Sequence, residues 1–523
     1  MVPPGAGRSA FTVGTGILLS RIAGLVRERV FAHYFGSSDA ADAFRATFRI
    51  PNLLQNLFGE GVLSASFIPV YAGLLARGKE KDAGEVAGAI AAILGLIISV
   101  LVLLGIWAAP QLIAVIAYGF AGDKRELCVR LVRIFFPGAG LLVLSAWCLG
   151  VLNSHRRFLL SYTAPVLWNA AIIATLLGFG GSQDQPQLAI LAAWGSVLGS
   201  LLQLGSQLPL VLRLVGRLGL APNFRLTDVR IVIKNFVPVF ISRGVVQISA
   251  FVDTLIASLL PTGAVAYLGY AQTLYTLPVS LFGMAVSAAE LPAMSGALGT
   301  PEEVAGQLRT RLNSGLRRIA IFIVPSAMAF LALGDVVTAT LYQSGQFSRA
   351  DTVFVWGILA GYGMGLLPST LGRLYASTYY ALRDTRTPLR FAILRVALAT
   401  LLGYFAAIAL PPLLGINPRW GVAGLSASAG VAGWLEFLLL RKHMNGRIGH
   451  TGLPLSYTLQ LWSAAAMGAA VAWIIKWATG LVHPFSMAVL VLGPYGLIYA
   501  AMLLAFKVPE VHEALGKATK MMR

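Results

Sequence analysis

The chain has 523 residues, of which 57% are hydrophobic and only 12% charged, and its formal net charge is +19. Soluble chains carry about a quarter charged residues, so this composition excludes a soluble globular protein. The basic residues sit in short loops between apolar runs, which is a topology signal. That distribution argues against a nucleic-acid partner despite the positive charge.

Apolar runs of about twenty residues, each enough to cross a bilayer as a helix, recur along the whole chain. They predict an all-α polytopic membrane protein with about fourteen transmembrane helices. The spans run 10–36, 39–75, 84–118, 125–153, 158–179, 186–213, 228–259, 262–297, 304–343, 347–382, 387–410, 419–441, 455–479 and 484–506.

In the first span, the short apolar run 10–19 leads directly into Ser20, Arg21 and Arg27. This is not a signal-peptide pattern, so the first helix is expected to be retained. Arg21 and Arg27 flank Gly24, and Arg29 either snorkels or pairs with Glu28. The second span places Asp42, Arg45, Arg49, Asn52, Asn56 and Glu60 on one helical face. Asp42 and Arg45 are also readable as the aqueous end of that helix. Arg49, Asn52 and Glu60 lie deeper and read as the wall of a polar cavity. A charge at bilayer depth costs about 2.5–3.5 kcal/mol even on insertion scales, so it is normally kept facing a pathway or a partner. The planar guanidinium fork suits phosphate and carboxylate, and an anionic substrate is the natural occupant.

Pro51 and Pro278 are expected to kink the second and eighth spans. Cys128 and Cys148 share one predicted helix at a separation of roughly 30 Å, too far for a disulfide. In the seventh span Arg243 and Gln247 share a face, and Asp253 lies deeper. Arg243 either completes a cationic chamber or marks the cytoplasmic entrance of its helix. Asp253 is the type of buried carboxylate that binds Na⁺ or a proton in transporters. The segments FGEGVLSASFIP (58–69) and FGMAVSAAELP (282–292) hint at two six-helix blocks in the same orientation.

Loops after even-numbered spans are basic, as at Arg77, Lys79, Lys81, Arg156, Arg157, Arg441, Lys442 and Arg447. Those after odd-numbered spans hold only Lys124, Arg125, Arg349 and Arg419. The positive-inside rule then places both termini in the cytoplasm. The basic loops also suit anionic membrane lipids. No H-E-x-x-H, nucleophile elbow or P-loop is present, so an enzyme is not expected.

The runs SRIAGLVRE and DAFRATFRIPNLLQNLFGEGVLSASFIPVY resemble the opening signature of the MurJ (MviN) lipid II flippases. These belong to the multidrug/oligosaccharidyl-lipid/polysaccharide exporter superfamily. LNSHRRFLLSYTAPVLWN, LYQSGQFSRADT and YYALRDTRTPLR extend the resemblance over essentially the whole chain. It implies two six-helix lobes (1–220 and 221–445) around a central cavity. A final helix pair with a basic cytoplasmic tail (446–523) would form a lipid-tail groove. It also implies movement of the undecaprenyl-pyrophosphate-linked peptidoglycan precursor from the cytoplasmic to the periplasmic leaflet of the bacterial inner membrane, by alternating access.

Arg21 and Arg27 match the family's pyrophosphate arginines, and Asp42, Asn52 and Glu60 fall on its motif positions. Asp253, Asp384, Val396 (through its carbonyl) and Thr400 match a family Na⁺ site, with Na⁺ as coupling ion. Three positions depart from the pattern. Gln55 stands where the family motif has arginine, Thr273 replaces an arginine of the eighth helix, and Tyr380 replaces an asparagine of the Na⁺ site. Arg49 and Arg243 are candidates to supply the missing positive charge. The expected function is therefore a lipid II flippase, with lipid II and membrane lipids as ligands and peptidoglycan-synthesis proteins as candidate partners. The alternatives are an exporter of another polyprenyl-linked saccharide or a non-transporting scaffold of cell-wall synthesis.

Overall fold

The computed structural model describes residues 6–216, 219, 222–479 and 483–511; the side chains of residues 6–14, 60, 241–243, 245–246 and 248–249 lie outside that description. In lipid every backbone N–H and C=O must be satisfied within its own segment, which leaves the helix as the spanning unit for such a chain. The long helices are α1 (Ala6–Phe35), α2 (Asp39–Ala76), α3 (Glu80–Trp107), α4 (Gly122–Ser154), α5 (Phe158–Phe179), α6 (Gln185–Val215) and α7 (Thr227–Ser258). They continue with α8 (Ala264–Ser295), α9 (Pro301–Ala332), α10 (Arg349–Ala381), α11 (Arg386–Leu413), α12 (Pro418–Ile448), α13 (Leu455–Thr479) and α14 (Pro484–Ala505). Among the described residues, twelve helices are long and apolar enough to cross a membrane. The charge-bearing α1 and α7 lie outside that set.

The expected kinks take different forms. α2 runs as continuous helix through Pro51 and breaks at Gly59 instead, where φ is −90° and ψ is −152°. A β-carbon at Gly59 would sit 1.9 Å from the Gln55 carbonyl oxygen, so only glycine fits that break. In α8 the disruption follows Pro278 directly, as a π-helical stretch over Val279–Met284. The missing proline N–H removes one α-type hydrogen bond, and a wider turn absorbs the loss. Both members of the sequence repeat, 58–69 and 282–292, thus begin where their helix departs from regular α geometry.

The chain packs as two compact units, Met1–Ala266 with Ser344–Phe347, and Tyr267–Gln343 with Ser348–Arg523. The packing division falls in the first turn of α8. In the first unit α2 packs on α4, α4 on α6, α5 on α6 and α1 on α5, while α7 packs on the second half of α2. In the second unit α10 packs on α12 and α9, and α11 on α12. α13 and α14 pack on each other, and they seat on α9 and the short helix Gly334–Tyr342. Leu333, Val336, Ala472, Val491 and Tyr495 form the core of that contact.

Lipid tails are as apolar as leucine, so these helices associate through close backbone approach and buried polar contacts. In the first unit the Ser145 hydroxyl donates to Gln207 Oε1 at 2.8 Å and accepts from Gln203 at 2.9 Å, joining α4 to α6. In the second unit Gly361 and Gly365 of α10 lie against Ser426 and Gly430 of α12. A β-carbon at Gly365 would meet Gly430 Cα at 2.4 Å. At Gly372 the nearest atom is a Leu440 methyl at 3.9 Å, an ordinary contact. Gly365→Val should therefore destabilise the purified protein by about 1–3 kcal/mol through overpacking, read as a lower melting temperature in detergent. Gly372→Ala should leave it unchanged or higher; equal melting of both variants would show that the close approach is not what joins these helices.

Candidate functional site: the arginines of the first unit

The arginines of α1 and α2 meet at a carboxylate. Glu28 is 7% exposed and accepts from Arg27 at 2.7 Å and from Arg45 of α2. It pairs with these two rather than with Arg29, which is exposed. The Arg27 guanidinium carbon lies 5.1 Å from the ring centroids of both Phe48 and Trp168, and that of Arg45 lies 5.0 Å from Phe31. Phe48 and Trp168 stack at 5.5 Å, and Phe135 meets Phe48 edge-on. The Trp168 indole N–H donates to the Ser196 carbonyl at 3.1 Å, which fixes the platform under Arg27. Two guanidiniums against one carboxylate leave a net positive charge in an aromatic setting, where desolvated cation–π contacts are worth most. The void beside them measures about 20 Å³, room for one water and no more.

The rest of the α2 stripe divides in two. Arg49, Gln55 and Asn56 are half-buried and Asn52 is exposed, so the deeper residues are on an open face. Asp42 is not on that face. It is 1% exposed, and its Oδ2 accepts from Lys124 at 2.6 Å and from the Gly263 amide at 2.8 Å, while Oδ1 accepts from the Ala266 amide at 2.8 Å. Lys124 also reaches Asp39 at 2.8 Å, and Thr262 donates to the same Asp39 oxygen at 2.9 Å. Asp42 thus serves the first amides of α8, which have no partner within their own helix. This carboxylate is engaged as a structural anchor for Lys124 and the start of α8. Arg21 is exposed and, six residues before Arg27, sits on another side of α1. The side chains of Glu60 and Arg243 lie outside the described residues.

A family model described as Lipid II flippase MurJ matches residues 31–493. A relative from Burkholderia cenocepacia, named Lipid II flippase MurJ, is 34% identical over 439 residues, 83% of this chain and 82% of its own. The chain belongs to the MurJ lipid II flippase family. Its fold is shared with a solved structure described as Lipid II flippase MurJ in an inward closed conformation, at TM-score 0.76 and 24% identity over 94% of this chain and 98% of that one. A multidrug resistance MATE family transporter of the MOP superfamily, in its inward-facing conformation, matches at TM-score 0.63 and 17% identity, covering 82% of this chain and 95% of that one.

The residues that resemble the MurJ-family Na⁺ site are divided between the units. Asp253 is half-buried on α7 in the first. Asp384, Val396 and Thr400 belong to the second, with Val396 and Thr400 half-buried on α11. Asp384 is fully engaged as a turn and helix-start acceptor. Its Oδ1 takes the Arg386 and Thr387 amides at 3.0 Å each; its Oδ2 takes the Thr387 hydroxyl and the Arg447 guanidinium at 2.7 Å each. A carboxylate so committed, with a guanidinium already against it, does not fit a second cation. Beside Val396, Arg395 lies 3.0 Å from Glu436 of α12, an intramembrane ion pair the sequence reading missed. The pairings of Glu28 with Arg45, of Lys124 with Asp42 and of Glu436 with Arg395 were not legible in the sequence for one reason. In each the partner is on another helix, and the only local signal was a charged residue inside or beside an apolar run.

The hydrogen bond from the Thr387 amide, aided by the Thr387 hydroxyl and Arg447, outweighs partial burial and holds the Asp384 carboxyl at about 2, below its ordinary 3.8. A depressed carboxyl pKa stabilises the fold fully above the unfolded value, and the benefit is lost as pH falls through the folded one. The melting-temperature gap between wild type and Asp384→Asn should therefore hold steady above about pH 5 and close between about pH 4 and pH 2. A gap independent of pH would contradict this. At the arginine cluster, Glu28→Gln strands two guanidiniums beside a neutral amide and should cost about 3 kcal/mol of stability, seen as a large drop in melting temperature. Wild-type melting would show that Glu28 does not hold Arg27 and Arg45.

Proposed function

We propose that the chain is a lipid II flippase of the bacterial inner membrane, carrying the polyprenyl-pyrophosphate-linked precursor from the cytoplasmic to the periplasmic leaflet by alternating access. Membership of the MurJ family supports the substrate, and the Arg27–Glu28–Arg45 cluster is the observation that carries the mechanism. Its guanidiniums are held in place by aromatic faces and a single carboxylate, so they are oriented before substrate arrives. A pyrophosphate supplies more negative charge than Glu28 and bidentate acceptors for both forks. It can draw Arg27 and Arg45 toward itself while Glu28 keeps their stems in register. Arg49 and Asn52, on the open face of the same helix, extend the polar surface toward the saccharide. Arg21, Arg243 and Glu60 remain candidates for further contacts.

No covalent step is required, and we do not assign an enzymatic activity. The basic loops of alternate connections support cytoplasmic termini. Membrane potential favours outward movement of the anionic headgroup by about 2.3 kcal/mol per charge per 100 mV. Na⁺ coupling through Asp253 would need ligands other than Asp384 as it is now bonded. Contacts with peptidoglycan-synthesis proteins would fall on the basic loops.

Complementation of a flippase-depletion strain tests the proposal. Wild type should rescue growth, Arg27→Ala should fail at equal membrane abundance, and Arg27→Lys, which keeps the charge but loses the fork, should rescue poorly. Full rescue by Arg27→Ala would overturn the cluster mechanism. Failure of well-expressed wild type would favour another polyprenyl-linked saccharide as cargo.

A further inference from the structure

The second unit holds a cavity of about 530 Å³ unrelated to the arginine cluster. It lies where α9 ends, α10 begins and α13 turns into α14, with the short helix Gly334–Tyr342 as its floor. Its polar groups are mostly donors. Arg349, at the first turn of α10, is exposed and makes no ion pair among the described residues. The Gln343 side chain uses its oxygen to accept from Thr352 at 3.4 Å, which leaves its amide N–H groups for a ligand. Lys476 is paired with Asp335 and also lies 4.5 Å from the ring centroid of Trp473 and 5.9 Å from that of Trp356. With Asp335 and Lys476 cancelling, the lining carries one net positive charge, that of Arg349.

The aromatic walls are fixed. Trp473 and Trp356 spend their indole N–H groups on the Ala332 and Leu331 carbonyls, at 2.8 and 3.1 Å, and so present ring faces rather than donors. At the mouth of the cavity Trp477 is 88% exposed, and Phe485 and Val489 continue an apolar surface along the start of α14. Tryptophans at a helix end belong at the headgroup level of a bilayer. A donor-rich pocket of single positive charge, opening at that level onto an apolar strip, is complementary to a singly anionic headgroup with its acyl chains alongside.

We propose that this cavity binds the phosphodiester headgroup of an anionic glycerophospholipid of the phosphatidylglycerol type. Arg349 and the Gln343 amide receive the phosphate oxygens, and the chains lie along Trp477 and α14. The positive-inside orientation adopted above places the site in the outer leaflet. Binding anchors the final helix pair to that leaflet independently of transport.

The test measures phospholipid binding to the purified full-length chain by mass-resolved titration in detergent. Phosphatidylglycerol should bind about ten-fold more tightly than phosphatidylethanolamine, because both carry the phosphodiester but the ethanolamine ammonium is repelled by the net positive lining that Arg349 supplies. Arg349→Gln should abolish that preference, and Arg419→Gln, at an exposed arginine outside the cavity, should keep it. Arg349 is exposed, so its replacement is not expected to impair folding, and an unchanged melting temperature will confirm this. Equal affinity for the two lipids, or a preference that survives Arg349→Gln, overturns the proposal. Competition by glycerol phosphate at the same concentration as lipid would assign the site to a soluble phosphate instead. The readout needs no transport, so a failed complementation leaves it standing.

Discussion

Inside a bilayer a charge is tolerated where a partner neutralises it, and the polar architecture of this chain follows from how few acidic residues it has to do so. With 21 acidic residues against 40 basic ones, several of the buried carboxylates serve more than one cation or amide. Glu28 holds two arginines, Asp42 holds Lys124 and two backbone amides, and Asp384 takes four donors. Each ties together segments distant in sequence. Removing any one leaves a buried cation or a helix start without its partner, which costs far more than a surface pair is worth.

Under the proposed function, the same shortage is what would give the arginine cluster its use. Had each arginine its own carboxylate, an arriving anion would have to displace a full ion pair. With one carboxylate between two, the cluster keeps a net positive charge and an unmet capacity for acceptors. The aromatic platform of Phe48 and Trp168 supports that state without neutralising it, because a ring quadrupole attracts a cation but adds no charge. Asp42 makes the contrasting case. All its acceptor capacity is spent on Lys124 and on the first turn of α8, the turn in which the chain passes from one unit to the other.

Helix content, the positions of the spans and the family were legible in the sequence because hydrophobic run length and a specific motif carry them directly. The packing units were not. α7 joins the first unit through its contact with the second half of α2, and nothing in the run lengths encodes which neighbour a helix chooses. Within the site, the helical spacing of Arg45, Arg49, Asn52 and Asn56 places them on one face by period, but periodicity cannot say where along a face burial begins. Asp42, three residues before Arg45, is buried against Lys124 and the start of α8, which the spacing does not show. Glu28 was visible only as a neighbour of Arg27 and Arg29. Its true second partner, Arg45, lies seventeen residues on, across a helix turn that spacing rules do not reach.

The engagement of Asp384 bears on how transport would be driven. Arg447 supplies to this carboxylate the positive charge that a coupling ion would otherwise bring, and it does so from within the chain. A tethered cation has no concentration gradient, so it stabilises one geometry without contributing work. Under the proposed function, a driving force that needs no ion at Asp384 is one that acts on the cargo itself. A pyrophosphate headgroup leaving a cytoplasm that is electrically negative moves down the potential, and at about 2.3 kcal/mol per charge per 100 mV two charges gain more than the thermal energy several times over. Under the proposed function, the positive charge at Arg27 and Arg45 would lower the barrier to the headgroup's entering the membrane, and the membrane potential would favour its outward movement.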